Sequence, residues 1–226
     1  MKYLRKFNSA DELLAWRMGS EHVTPNVVLT ADTGSVGYNV AAMSGVFIQH
    51  IDGTLYTMAE WEERGYETSV ANGVAVIDSA AKFVIAKEEI SSSMAWSSST
   101  SLVSGVLQTN SLEKAQTDYA GEAHTAILAA STKHEAAYSC ANYEFPNGQK
   151  GYLPAFGEWT VAYNYKEDIV SAMSLIGGTA IAASNHWSST QYSGPYAWLF
   201  NWNTGANSKP SKSYKRGVRA FAALSL

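Results

Sequence analysis

Ser184-Asn185-His186-Trp187-Ser188-Ser189-Thr190-Gln191-Tyr192 runs on through Ser193-Gly194-Pro195-Tyr196-Ala197-Trp198-Leu199-Phe200-Asn201-Trp202-Asn203-Thr204-Gly205. After a polar run from Ala206 to Lys215 it ends in Arg216-Gly217-Val218-Arg219-Ala220-Phe221. Bulky residues (Trp187, Trp198, Trp202, Val218, Phe221) alternate with small or polar ones in short runs. A period of two reads as β-strand, and the Asn, Gly and Pro clusters read as turns. The segment is expected to form short strands around two turns, with indoles anchoring the back and polar groups in front. Tyr and Trp give rigid contact area while Ser, Asn and Gly give adaptable hydrogen bonding, so such a front suits binding. A β-meander with no functional face accounts for the same alternation.

The rest of the chain sets bounds on this reading. Of 226 residues 46% are hydrophobic and 16% charged, enough for a substantial core under a neutral-polar surface. The formal net charge is -4 and no basic block is present, which argues against nucleic acid or an anionic membrane as partner. The single cysteine, Cys140, can make neither an internal disulfide nor a zinc site alone, and reads as a small buried hydrophobe on a helix. Met1 to Ser9 lacks the apolar core of a secretory signal peptide, and no apolar run is long enough to insert into a membrane. If the chain acts outside a cell, at an extracellular surface or in a virion such as a phage tail, it gets there by another route, for example as part of a particle released by lysis.

Residues 1–40 read as a small α/β appendage or attachment module. It has a strand at Tyr3–Phe7, a helix at Ala10–Met18 capped by Asn8 or Ser9, and strands at Val27–Thr30 and Val36–Asn39. It is too small to bury much surface alone, so it should pack on the main domain, a partner or copies of itself, a possible homo-oligomer. Residues 41–226 form the main domain. Val46–Ile51 turns at Asp52-Gly53 into Thr54–Thr57. Ala59–Arg64 is a short helical turn carrying Trp61. Gly73–Ile77 and Lys82–Ala86 are a second strand pair, and serine-rich Ser91–Ser104 is loop plus strand around Trp96. Two helices follow, Gly121–Tyr143 and a second from Pro154 to Ile176 that Gly177-Gly178 terminates. The class is α+β, with two helices, irregular strands and a last strand placed to pair with the first.

Several phrases are familiar in this order: Asp118-Tyr119-Ala120-Gly121-Glu122-Ala123-His124-Thr125, Gly148-Gln149-Lys150-Gly151-Tyr152-Leu153-Pro154, Gly157-Glu158-Trp159, Ile176-Gly177-Gly178-Thr179, Trp187-Ser188-Ser189-Thr190 and Arg216 to Phe221. Together they resemble the C-type-lectin-like fold, in the branch near formylglycine-generating enzymes. More closely, the C-terminal part looks like variable proteins of diversity-generating retroelements, which include phage tail receptor-binding proteins. The opening residues are similar to small modules of phage structural proteins. The resemblance implies adenine-directed diversification of residues about 184–221, with His186, Ser193, Pro195, Tyr196, Leu199, Asn201, Asn203, Thr204, Ala206 and Ser208 as variable, ligand-binding positions. Trp187, Trp198 and Phe221 fall on scaffold positions. It implies a protein or glycan receptor on a target cell, with no catalytic residue, cofactor or metal.

Rival chemistries are weighed on the same residues. Formylglycine generation depends on active-site cysteines, and Cys140 stands alone. Calcium-dependent sugar binding needs clustered oxygen ligands, yet Trp202-Asn203 is followed by Thr204 and Phe145 separates Glu144 from Pro146. The 5 histidines are scattered, and Glu158 reads either as a candidate acid or as a first-turn partner of its helix dipole. Arg216 and Arg219 are expected on one face of the last strand, packing under the display loops or meeting an acidic ligand. A bacterial surface adhesin or carbohydrate-binding module is the alternative. Trp187 and Trp198 should be buried. His186, Tyr196, Leu199, Asn201, Asn203 and Thr204 should share one exposed surface, with Tyr196 carrying most binding energy.

Overall fold

The computed structural model describes residues 44–224 and the backbone of β1 (Val27–Leu29) and β2 (Val36–Tyr38), which pair antiparallel. The expected strand Tyr3–Phe7 and helix Ala10–Met18 lie outside the described residues. The fold is α+β, with two five-stranded sheets and several short helices.

The first sheet runs β12 (Phe221–Ala223), β6 (Lys82–Ala86), β5 (Ala71–Ile77), β3 (Gly45–His50), β4 (Leu55–Tyr56), antiparallel throughout. Its central strands are apolar at nearly every position because both faces are covered. Val46, Ile48, Val74, Val76, Phe83 and Ile85 enter one core. The residues between them, Phe47, Ala75, Val84 and Ala86 among them, enter a second. The Asp52-Gly53 turn closes β3 onto β4, with Gly53 at φ 89. The last strand does join this sheet, but beside β6: both edges of β3 are already taken, by β4 and β5.

The second sheet runs β10 (Asn207–Ser208), β9 (Ala197–Asn201), β8 (Asn185–Gln191), β11 (Lys215–Val218), β7 (Ser91–Ala95). Only the β8–β11 pair is parallel, with Gly217 opposite His186. Trp187 and Trp198 are buried as the alternation requires. A buried indole needs an acceptor, and each finds a carbonyl: Trp187 donates to Met94 at 2.9 Å, Trp198 to Thr109 at 2.9 Å, and Trp96 to Ser188 at 2.8 Å.

Helix α1 (Met58–Arg64) opens on a Thr57/Glu60 capping box and buries Trp61. Helix α2 (Leu112–Gln116), capped by Ser111, has no counterpart in the sequence reading. Both long helices expected from periodicity are broken. The first divides into α3 (Gly121–Leu128) and α4 (Glu135–Asn142), which buries Cys140. Polar groups of the intervening turn are satisfied from outside: Lys133 O accepts the Ser98 N–H at 2.9 Å, and His134 Nδ1 meets Ser97 Oγ at 3.0 Å. The second divides at Tyr165 into α5 (Phe156–Asn164) and α6 (Lys166–Leu175). The Tyr165 hydroxyl donates to Asp78 at 2.8 Å and pins the bend. α5 then lies on β8 and β9 while α6 lies on β3 and β5.

Candidate ligand-binding face

The polar run of β8 does not face solvent. Ser188, Ser189, Thr190 and Gln191 are fully buried and bond in every direction. Ser188 Oγ donates to Trp198 O at 2.8 Å, and the Ser189 N–H donates to Pro154 O at 2.9 Å. Thr190 Oγ1 accepts the Phe156 N–H at 3.0 Å and donates to Asp118 Oδ2 at 2.6 Å. Small polar side chains suit this strand because buried donors and acceptors must be paired. Beside it, Gly157 permits close approach: its N–H donates to Asp118 O at 3.0 Å, and a Cβ would sit 2.5 Å from that oxygen.

This region brings Ser189, His124 and Asp118 together, but not as a nucleophile and base. His124 Nε2 accepts the Leu107 N–H at 3.2 Å, so the proton sits on Nδ1 and points at Ser189 Oγ, 3.1 Å away. A base toward serine needs the opposite tautomer. Burial also pushes the His124 pKa down, against the pull of Asp118.

Glu158 lies close by, buried at the start of α5. It accepts the Ala155 N–H at 2.7 Å and the Tyr152 hydroxyl at 2.9 Å, so it caps the helix start directly. Burial pushes its pKa up to about 8 against those two bonds, with Asp118 and Glu122 adding to the rise. The folded state thus holds a proton that the unfolded chain releases near 4.5. Stability should fall as pH rises from about 4.5 to about 8, by up to about 1.4 kcal/mol per unit at the steepest. Glu158→Gln, which imitates the protonated form, should flatten that part of the curve in urea titrations run across this range. An unchanged slope would mean that Glu158 is ionised throughout.

The ten positions read as variable do not form one face. His186 and Leu199 are 0% and 1% exposed, which corrects their placement in the display. The reason is that β8 and β9 are covered on both sides: Trp198 and Phe200 enter one core, Ala197 and Leu199 the other. A neighbour of a buried indole therefore points into a second core, not into water. His186 packs at a tilt on Trp159, with ring centroids 5.1 Å apart, and its Nε2 meets Glu89 Oε1 at 2.6 Å. Asn201 is half-buried and committed inward. Its Oδ1 accepts the N–H groups of Asn203 and Thr204, each at 3.0 Å, and its Nδ2 donates to Asn185 at 2.8 Å. Asn203, Thr204 and Ala206 are exposed on the turn this builds, and Ser208 on the edge strand β10. Half-buried Ser193 and exposed Pro195 and Tyr196 lie at the opposite end of β9, a strand of 5 residues. At about 3.4 Å per residue Asn203 and Thr204 stand well over 10 Å from Tyr196, and Ser208, opposite Leu199, lies between the two groups.

Around Tyr196 a larger surface gathers that sequence reading left as loops. Residue Lys212 is the peg: its Nζ donates to Gln191 Oε1 at 2.9 Å and Ser101 O at 3.1 Å, and sits 4.4 Å from the Trp96 ring centre. Burial pushes its ammonium down to about 8. Gln191 also bonds Val103 through its N–H and carbonyl, both at 3.0 Å. Lys212 N–H donates to Pro195 O at 2.9 Å, and Tyr196 bridges Ser211. Three segments, 97–103, 192–196 and 209–216, thereby share one rim. It exposes Tyr196 at 42% and Tyr214 at 55%, with Ser98, Thr100, Ser101 and Ser213 around them. The signal available in the sequence was the serine run itself, which resembles the Tyr/Ser composition of the C-terminal stretch.

Arg216 and Arg219 do not share a face. Arg219 is fully buried: its Nε donates to Glu89 Oε2 at 2.8 Å and its Nη2 to Thr179 O at 2.9 Å. Arg216 is half-exposed, with its guanidinium 5.5 Å from the Tyr214 ring centre. Among the described residues no helix is long and apolar enough to cross a membrane.

No family model and no curated protein matches this sequence. Among solved structures, a fimbrial protein from Bacteroides ovatus is similar with a TM-score of 0.42 and 15% identity, over 89% of this chain and 49% of that one. The chain thus spans about half of that protein's length.

Proposed function

We propose that this chain is a non-enzymatic ligand-binding protein that meets a protein or glycan receptor on a target cell through the Tyr196/Tyr214 rim. The carrying observation is the Lys212–Gln191 clamp, which spends buried polar groups on holding three irregular Ser/Tyr segments in one place. Pre-organised loops lose less freedom on binding, and exposed Tyr with Ser suits varied partners. The finer reading is a diversity-generating variable protein on a C-type-lectin-like scaffold at a phage tail tip. The six phrases in family order support it. On that reading the adenine-rich template beside the gene alters codons such as Tyr196, Asn203 and Thr204, and leaves His186 and Leu199 alone.

Tyr196→Ala with Tyr214→Ala should lower attachment of the purified chain to target cells at least tenfold, since aromatic anchors dominate interfaces. Its melting temperature should stay within about 2 °C, the range of neutral surface changes. Full attachment by this variant would remove the rim from the binding site.

A further inference from the structure

Charge is distributed unevenly along this acidic chain. All 20 Asp and Glu residues lie at or before Asp168, while Lys209, Lys212, Lys215, Arg216 and Arg219 follow it. The fold converts that asymmetry into a local surface. Arg219 is neutralised inside by Glu89, whereas Lys209, Lys215 and Arg216 reach solvent. None of the segments 97–103, 192–196 and 209–216 contains an acidic residue. Lys209 Nζ lies 4.5 Å from the Trp198 ring centre and donates to Asn207 at 2.8 Å. At the far side of the same run stand Tyr214 and Arg216, whose Nε is buried without a hydrogen-bond partner in the described structure. Lys209 and Arg216 thus stand on either side of the two exposed phenols, while Lys215, next to Arg216 on β11, leaves by the other face of that strand.

We propose that this rim binds an anionic polysaccharide, a refinement that rests on the ligand-binding reading above. Lys209 follows β10 while Lys215 and Arg216 lie on β11, three strands across the sheet, so the cations fall in two separated groups, which suits charges repeated along a polymer. Between them are hydroxyls to exchange hydrogen bonds with sugar hydroxyls, and phenol rings whose faces can cover the C–H face of a sugar. A protein partner is less well matched. Protein interfaces centre on a contiguous apolar core, and Leu102, 53% exposed, is the one large aliphatic side chain open on these three segments.

Binding of the full chain to immobilised polygalacturonate and alginate tests this, with methyl-esterified polygalacturonate and poly-glutamate as comparisons. Both acidic polysaccharides should bind, and the esterified form, the same sugar without charge, should bind at least tenfold more weakly. Raising salt from about 50 to about 200 mM should weaken binding roughly tenfold or more, as release of counterions from a few ion contacts requires. Lys209→Glu/Lys215→Glu/Arg216→Glu should lose binding while melting normally, and Tyr196→Ala should lose most of it. Equal binding of the esterified polymer, or full binding by the triple variant, overturns the inference. Equal binding of poly-glutamate reduces it to ion exchange and also overturns it. So does salt-sensitive self-association in sedimentation, which would assign the basic rim to the acidic surface of a second copy. If neither acidic polysaccharide binds but Tyr196→Ala/Tyr214→Ala still abolishes cell attachment, the anionic ligand is wrong and the ligand-binding reading survives.

Discussion

Arg219→Met should lower the unfolding free energy by about 3–5 kcal/mol, the usual result of removing one partner from a buried ion pair. Arg219 is 0% exposed and faces the Glu89 carboxylate at 2.8 Å, whose other oxygen meets His186 at 2.6 Å. Burial pulls the Arg219 pKa down and Glu89 pushes it back, but a guanidinium stays charged in proteins, so Glu89 has a fixed partner. Methionine fills much of the volume and supplies no donor. Glu89 then keeps only His186, and the Thr179 and Ala86 carbonyls lose theirs. Arg219→Lys should recover little, because one ammonium cannot reproduce the planar fork that reaches four oxygens at once. Glu89→Gln in the Arg219→Met background should restore part of the loss by removing the stranded charge. Guanidinium unfolding of the wild type, Arg219→Met, Glu89→Gln and the double variant closes this cycle. A loss below about 1 kcal/mol for Arg219→Met would show the pair to be solvated and nearly neutral in effect.

This cluster also marks where sequence reading reached its limit. The strands of the first sheet were legible because runs such as Val74-Ala75-Val76-Ile77 are apolar at every position, whichever face is covered. The Asp52-Gly53 turn and Trp61 helix were legible because their signals are local. The helix breaks at Ala129–His134 and Tyr165 were not: what stabilises them is Ser97, Ser98 and Asp78, distant in sequence. The same holds for Arg219, whose partner Glu89 is far off along the chain. The display face failed for a different reason. Alternation shows that two sides differ, and it does not say that one of them is wet. In β8 the polar side is buried and internally bonded, so Ser and Thr there look like surface residues by composition alone. Tyr196 sits just before the start of β9 and was placed correctly as exposed, while the rim joining it to residues 97–103 depends on Lys212 and could not be read from spacing.

The C-terminal hairpin should accordingly divide into two classes of position. His186→Ser with Leu199→Ser is expected to abolish the folded state. Leu199 fills the core that contains Trp187 and Val218, and large-to-small changes at such sites cost about 2–5 kcal/mol. His186 packs on Trp159 from the other side and bonds Glu89, so its loss opens a second gap and removes a partner from a partly buried carboxylate, about 1–3 kcal/mol more. The two side chains enter opposite faces of the sheet, so neither gap can be closed by the other's neighbours. Their sum approaches the whole stability of an ordinary domain, about 5–15 kcal/mol. By contrast, Tyr196→Ser, Asn203→Ser, Thr204→Ser and Ala206→Ser combined should leave the melting temperature within a few degrees, since each position is exposed and surface changes stay within about 0.5 kcal/mol. Thr204→Ser even keeps the hydroxyl that donates to Asn201 at 3.0 Å. Near-ultraviolet circular dichroism, which reports the packed indoles, should vanish in the first variant and persist in the second. A folded His186→Ser/Leu199→Ser protein would return these positions to the tolerant surface, and an unfolded four-serine protein would mean that the turns beyond β9 carry the fold.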